Sequence, residues 1–168
     1  MAIHILIDGY NLIGSEKGLT GNLKPRRDLL IQQLQQYQDR KGIPVTVVFD
    51  GWRSGWVHEV EEKHGAITVI FSQQGEKADS VIERLAREMG NGCVVVTSDR
   101  EVRNAVEQCG AVAIYAGEFG SKLRNLDREI WIGEGDEESM DLRNQRKRGN
   151  PRKLSKTERK RRERLNKL

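Results

Sequence analysis

Three apolar runs in this chain each end on an aspartate: IHILID at 3–8, VTVVFD at 45–50 and CVVVTSD at 93–99. Each run is short enough for one buried strand and too short for a core helix. In an open α/β sheet the carboxyl ends of the strands form the edge that holds ligand sites. One Asp-Gly after a strand is ordinary turn chemistry. The same arrangement at Asp8, Asp50 and Asp99 constrains the fold far more, because it calls for a sheet whose strands deliver carboxylates to a common edge.

The segments between these runs supply the helices. Residues 15–24 are polar and glycine-rich and are expected to form a loop over the site. Pro25 suits the first turn of a helix, where its missing N–H costs nothing. Leu30, Leu34 and Tyr37 then recur with helical spacing, and Gly42 ends the helix. After the second strand comes the loop GWRSGW, in which Trp52 and Trp56 bracket Arg53. A charged connection, HEVEEKHG, leads to the strand AITVIF at 66–71. The next helix carries Ala78, Val81, Ile82, Leu85, Ala86 and Met89 on one stripe, with Asp79 in its first turn, where a carboxylate is favoured. The strand CVVVT follows, then a helix with Val102, Ala105, Val106 and Cys109 that stops at Gly110. AVAIY is the fifth strand, and a helix with Phe119, Leu123, Leu126 and Ile130 closes the globule near Gly133.

Alternating strands and helices predict a parallel sheet of about five strands, order 3-2-1-4-5, covered by helices on both faces. Right-handed crossovers put every strand's carboxyl end on one edge. Asp8 and Asp99 then flank the crevice between the first and fourth strands, with Asp50 and Asp79 on the same edge.

Charge divides the chain differently. Residues 143–168 hold thirteen Lys or Arg against Glu158 and Glu163, a local charge of +11, while the remainder carries −7. The expected organisation is a domain at 1–133 followed by an acidic linker and a basic, partly helical or disordered tail at 134–168. An acidic body with a basic tail suggests a polyanion-binding appendage. Within the tail, SKTE beginning at Ser155 reads as a capping box. Cys93 and Cys109 have no CxxC neighbour, which argues against zinc and a disulfide framework and for thiols in a reducing compartment. No stretch approaches the roughly 20 apolar residues of a membrane span, and the amino terminus enters a strand without a signal sequence, so a cytoplasmic location is expected.

Four carboxylates converging on one crevice repel one another unless a cation sits among them. Asp8, Asp50, Asp79 and Asp99 offer oxygen donors only, which selects Mg²⁺ or Mn²⁺ over zinc. Such an ion can hold a phosphodiester and acidify a bound water. Asn11 is placed to orient a ligand or the scissile phosphate, and Thr97 and Ser98 to donate hydrogen bonds to it. Lys77, Arg100 and Arg103 flank the cluster as phosphate-binding candidates, while Arg84 fits a solvated helix face equally well. Trp52 and Trp56 are candidates for stacking on unpaired bases, although aromatics near a strand end more often pack, and Arg53 between them is an RNA-binding candidate. His4, His58 and His64 show no ligand spacing.

IDGYNLIG, VVFDG, GEKADSVIERL and VVVTSDREV, in this order and spacing, resemble the YacP-like branch of NYN-domain proteins, within the PIN-like nuclease fold. The resemblance covers roughly residues 3 to 133. It implies a metal-dependent endoribonuclease that cleaves single-stranded RNA, in this branch associated with ribosomes and mRNA decay in bacteria. By position, Asp8, Asn11, Asp79 and Asp99 resemble the family's metal-site core. The alternative is a catalytically silent RNA- or ribosome-binding module of the same fold. A dinucleotide site is excluded, since no GxGxxG follows the first strand. An aspartyl-nucleophile phosphatase is disfavoured, because Tyr10 stands where the second aspartate belongs.

Overall fold

The computed structural model describes residues 3–17, 22–51, 57–132 and 155–168. Six strands form one sheet: β1 (His4–Asp8), β2 (Val45–Phe49), β3 (Val60–His64), β4 (Ile67–Phe71), β5 (Cys93–Val96) and β6 (Val112–Ile114). Their spatial order is β3-β4-β2-β1-β5-β6. β1 lies between β2 and β5, with Ile7 opposite Val47 on one side and Val96 on the other. All pairings are parallel except β3 with β4.

The five parallel strands keep the order expected from the sequence. The sixth, β3, is a correction: VEEKH was expected to be a connection. Its burial alternates along the strand, as an edge strand's does, and its Glu and Lys side chains discourage edge-to-edge pairing. Gly65, at φ 62, permits the two-residue turn that joins it to β4.

Alternation along each strand divides the core into two layers. Ile5, Ile7, Val47 and Phe49 face one cluster with Leu30, Leu34, Tyr37, Phe119 and Leu123. Leu6, Val48 and Ile70 face the other, with Val81, Ile82, Ala86, Val102 and Val106. The first layer's helices are α1 (Gly9–Lys17), α2 (Lys24–Lys41) and α5 (Ala116–Ile132); the second's are α3 (Ala78–Met89) and α4 (Arg100–Gln108). Pro25 and the left-handed Gly42, φ 67, bound α2 as expected.

The loop expected at 15–24 is a second correction. A helix starts directly after Asp8 and runs to Lys17, burying Tyr10, Leu12 and Ile13. Gly9 is there for close packing: a Cβ at this position would collide with the Phe49 ring. Residues 18–21 of that expected loop lie outside the described residues, as does the acidic linker.

The basic segment forms α6 (Lys156–Lys167), capped by Ser155, whose Oγ accepts from Glu158 N at 3.2 Å. This helix packs against β6 and shields that end of the sheet. Leu168 is only 2% exposed and joins the first core layer, with Leu165 partly buried beside it. Its carbonyl accepts a 2.8 Å hydrogen bond from Tyr37 Oη, itself buried in α2. Arg161 donates to both oxygens of Glu118, at 2.8 and 2.6 Å, and Lys160 and Arg164 donate to the carbonyls of Gly110 and Asn91. The tail expected to be partly helical or disordered thus forms, over residues 155–168, a helix that packs against the domain.

Leu168→Ala should therefore cost about 2 kcal/mol or more, as core truncations do. For a chain of this size that lowers the melting temperature by roughly 4–8 °C. A wild-type melting curve for this variant would show that α6 is not anchored through Leu168.

Candidate active site

The carboxylates expected at the sheet edge all lie at helix amino termini. Asp8 caps α1 weakly, its Oδ1 accepting from Asn11 N at 3.4 Å. Asp99 caps α4, accepting from Glu101 N at 2.9 Å and Val102 N at 3.4 Å. Asp50 caps a helix remote in sequence: its Oδ1 accepts from Ala78 N, at the start of α3, at 2.6 Å. Lys77, the residue that precedes α3, makes no side-chain cap there. Asp79 stands in that helix's first turn. Orphan N–H groups and helix dipoles at three amino termini explain locally how one edge tolerates so many acids.

They do not neutralise it. Asp8 is 8% exposed, and its carboxyl is raised from 3.8 to about 7. Burial is the main cause; the charge of Asp79 adds to it, the Asn11 N–H opposes it, and Asp50 and Asp99 raise it further. Asp79 is also raised, first by burial and then by Asp99 and Asp50, with Lys77 pulling the other way. These mutual effects place the four aspartates within electrostatic reach of one another.

Among the described residues, no three His, Cys, Asp or Glu side chains are grouped closely enough to hold an ion by themselves. The donor chemistry nevertheless fits a hard divalent cation: oxygens only, excess negative charge, and two carboxyls held above their usual range. Mg²⁺ commonly takes one or two carboxylates, keeping waters and substrate phosphate for its other positions. Asp8 and Asp79 are the pair whose electrostatics call most strongly for such an ion.

The other expected residues divide sharply. Asn11 bridges the crevice, its Oδ1 accepting from Ser98 N at 2.8 Å, and so ties α1 to the β5–α4 connection. Ser98 is exposed, but its Oγ accepts from Ala116 N at 3.1 Å. Thr97 is fully buried and its Oγ1 accepts from Asp99 N, so it supports the loop and does not face a substrate. Lys77 and Arg100 are exposed beside the carboxylates. Arg103 is half-buried, its guanidinium lying 3.6 Å from the centroid of the Tyr115 ring. Arg84 pairs with Glu59 at 2.8 Å on an exposed face, the solvated alternative. His4 bonds Thr46 Oγ1 and His64 pairs with Glu62, consistent with structural roles. Trp52, Arg53 and Trp56 lie outside the described residues.

Tyr115, Glu118 and Arg161 were not singled out by the sequence pattern. A usable signal existed: Arg161, Leu165 and Leu168 share the i, i+4, i+7 spacing of one helix face. A 310 Å³ cavity lined by Leu12, Leu29, Leu30 and Leu123 opens between α1, α2 and α5 and contains none of the carboxylates. The candidate site is the carboxylate-bearing sheet edge, apart from this cavity.

A three-layer α/β/α sheet with carboxylates gathered at the β1–β5 crevice defines an NYN domain of the PIN-like type. The sequence model of the YacP-like NYN domain matches residues 5–167, and the chain belongs to that family. It is 35% identical over 133 residues to the uncharacterized protein YacP of Bacillus subtilis (strain 168), covering 75% of this chain and 78% of that protein. Its fold is similar to the crystal structure of Rae1 (YacP) from Bacillus subtilis, with a TM-score of 0.64 and 33% identity over 79% of each chain. The structure of a tryptophan-to-leucine mutant of that protein gives a TM-score of 0.65 at 33% identity, covering 77% of this chain and 79% of that one. NYN domains generally have nuclease activity and are generally dependent on a divalent metal. Among the described residues, no helix is long and apolar enough to cross a membrane.

The electrostatics of Asp8 give a signed expectation. Its folded pKa lies above its unfolded value, so the fold binds the proton more tightly than the unfolded chain does. Without metal, stability should fall as pH rises from about 4 to about 7 and level off above that. The rise from 3.8 to about 7 corresponds to a cost on the order of 4 kcal/mol in the ionised state. Asp8→Asn keeps the cap and removes the charge. In EDTA at about pH 8 it should melt at a higher temperature than wild type, with a flatter pH dependence. Parallel melting curves for the two proteins would count against the electrostatics given for Asp8.

Proposed function

We propose that this chain is a metal-dependent endoribonuclease that cleaves single-stranded RNA, acting on mRNA in association with ribosomes in the cytoplasm. The observation that carries this reading is Asp8: a buried carboxylate, raised by three neighbouring acids, at an edge where three helix amino termini meet. Such an arrangement is costly to the fold, and burying charge without a partner is the usual mark of a functional site. Family membership supports the nuclease class. The mRNA and ribosome parts rest on the family resemblance and on the basic helix.

Asp8 and Asp79 would hold Mg²⁺ or Mn²⁺, with Asp50 and Asp99 contributing charge from their capping positions. When bound, the ion would supply phosphate binding and an acidified water for hydrolysis. Asp8 must be ionised to bind it, which sets the acid limb of the reaction. Asn11 fixes the β5–α4 connection against α1, so the two walls of the crevice keep their spacing. Lys77 and Arg100 would pair with RNA phosphates on either side, and Lys77 also offsets the charge of Asp79.

The silent RNA-binding module remains the second reading, favoured by the capping duties of Asp50 and Asp99 and by the lack of a closed ligand set among the described residues. A cleavage assay separates the two. Purified protein should cut single-stranded RNA with Mn²⁺ or Mg²⁺, stop in excess EDTA, and gain rate on translating ribosomes. Asp8→Asn should lose activity by orders of magnitude while still binding RNA. No cutting under any of these conditions would favour the silent module, and cutting undiminished in excess EDTA would overturn the metal dependence.

A further inference from the structure

Tyr115 follows β6 at the carboxyl edge, one strand beyond the end of β5. The two ends are joined there: Thr97 N donates to Ile114 O at 3.0 Å, and Ala116 N donates to Ser98 Oγ. The Tyr115 ring is 41% exposed, high for an aromatic so close to a candidate site. Two guanidiniums attend it. Arg103, one helical turn beyond Asp99, lies 3.6 Å from the ring centroid, and Arg161 of α6 lies at 5.6 Å.

The hydrogen-bonding state of these cations is unusual. Among the described residues, the Arg103 side chain has no carboxylate or carbonyl acceptor, and its Nε is buried without a partner. A half-buried guanidinium held over a ring, with no acidic partner for its outer nitrogens, is suited to an anion. Arg161, its side chain 16% exposed, binds Glu118 through Nη1, and its other nitrogens make no hydrogen bond among the described residues. Beyond Lys77 and Arg100, which flank the carboxylates, this pair of guanidiniums is a further place for a polyanion leaving the crevice to be held.

We propose that Arg103, Tyr115 and Arg161 form a subsite for the backbone of single-stranded RNA, on the β6 side of the carboxylate crevice. The guanidiniums take successive phosphates and the Tyr115 ring fixes their orientation. The subsite is completed by α6, so the basic segment acts as a fixed wall of the RNA path. This inference rests on the proposed RNA-cleaving role only in requiring that the chain bind RNA; it does not require cleavage.

The test is equilibrium binding of a short fluorescein-labelled single-stranded RNA of mixed sequence to the full chain carrying Asp8→Asn, over a salt series. Adding Arg103→Ala or Arg161→Ala should weaken binding several-fold and reduce the log–log salt slope by about 0.7 each, one phosphate contact apiece. Glu118→Gln removes the same ion pair as Arg161→Ala but keeps the cation, and should leave the salt slope intact. If Glu118→Gln lowers affinity and slope as far as Arg161→Ala does, Arg161 merely holds α6 in place and the subsite is refuted. Unchanged binding in Arg103→Ala refutes it as well. RNA binding that follows these rules in a wild-type chain that never cuts RNA would overturn the nuclease reading and leave the subsite standing.

Discussion

Strands that end on carboxylates can share one sheet edge here because a helix amino terminus meets each of them. Asp8 and Asp99 cap the helices that follow them, and Asp50 reaches across to cap α3. Each cap offsets part of the cost of an acid by supplying N–H donors and the positive end of a dipole. The compensation is uneven. Asp99 and Asp50 receive short hydrogen bonds, at 2.9 and 2.6 Å, whereas Asp8 receives one at 3.4 Å and is the most buried of the four. The residual charge problem therefore collects on Asp8, with Asp79 beside it. Everything proposed for the site follows from that imbalance.

The same caps show why the structural and the functional reading of these aspartates are compatible. A capping aspartate uses one oxygen on the helix and keeps lone pairs on the other. Asp50 and Asp99 are thereby fixed in position by the fold and still present negative charge to the crevice. Asn11 has a comparable double attachment: its main-chain N–H donates to Asp8 and its Oδ1 accepts from Ser98 N. A single residue thus couples the loop after β5 to the carboxylate on β1.

How far the sequence disclosed this depends on which force shaped each element. The five parallel strands were legible because burial on both faces demands continuous apolar runs, and the order followed from crossover handedness. β3 was not, because an edge strand can be built from VEEKH when its pairing is mostly main-chain. The start of α1 was hidden by Asp-Gly, which ordinarily signals a turn; Gly9 is required there by the Phe49 ring, a contact no local pattern reveals. The membership of the acidic edge was readable from strand ends, but the cap from Asp50 to α3 joins residues 28 positions apart and is purely tertiary. Composition misled most at α6. Its many charges concealed that Leu165 and Leu168 share a face, and these residues dock it together with the Arg161–Glu118 ion pair.

Docking changes what the charge asymmetry can do. A free basic tail would raise the local concentration of RNA without directing it, since its charges average over many positions. Fixed against β6, the same charges acquire an address. Neighbouring strands lie about 4.8 Å apart, so the two strand spacings from β1 to β6 amount to roughly 10 Å. That is comparable with the screening length of about 8 Å at physiological ionic strength. The cations around Tyr115 do not offset the charge on Asp8 or Asp79, whose carboxyls are raised without either arginine among the causes. On the proposed reading, a phosphate chain repelled by the carboxylates would be drawn toward the β6 side, and a divalent ion at Asp8 and Asp79 would remove the remaining repulsion at the point of contact. On that reading, the acidic crevice and the basic helix would act as two halves of one electrostatic device: the first would select for a cation, and the second would align the polyanion that the cation is to engage.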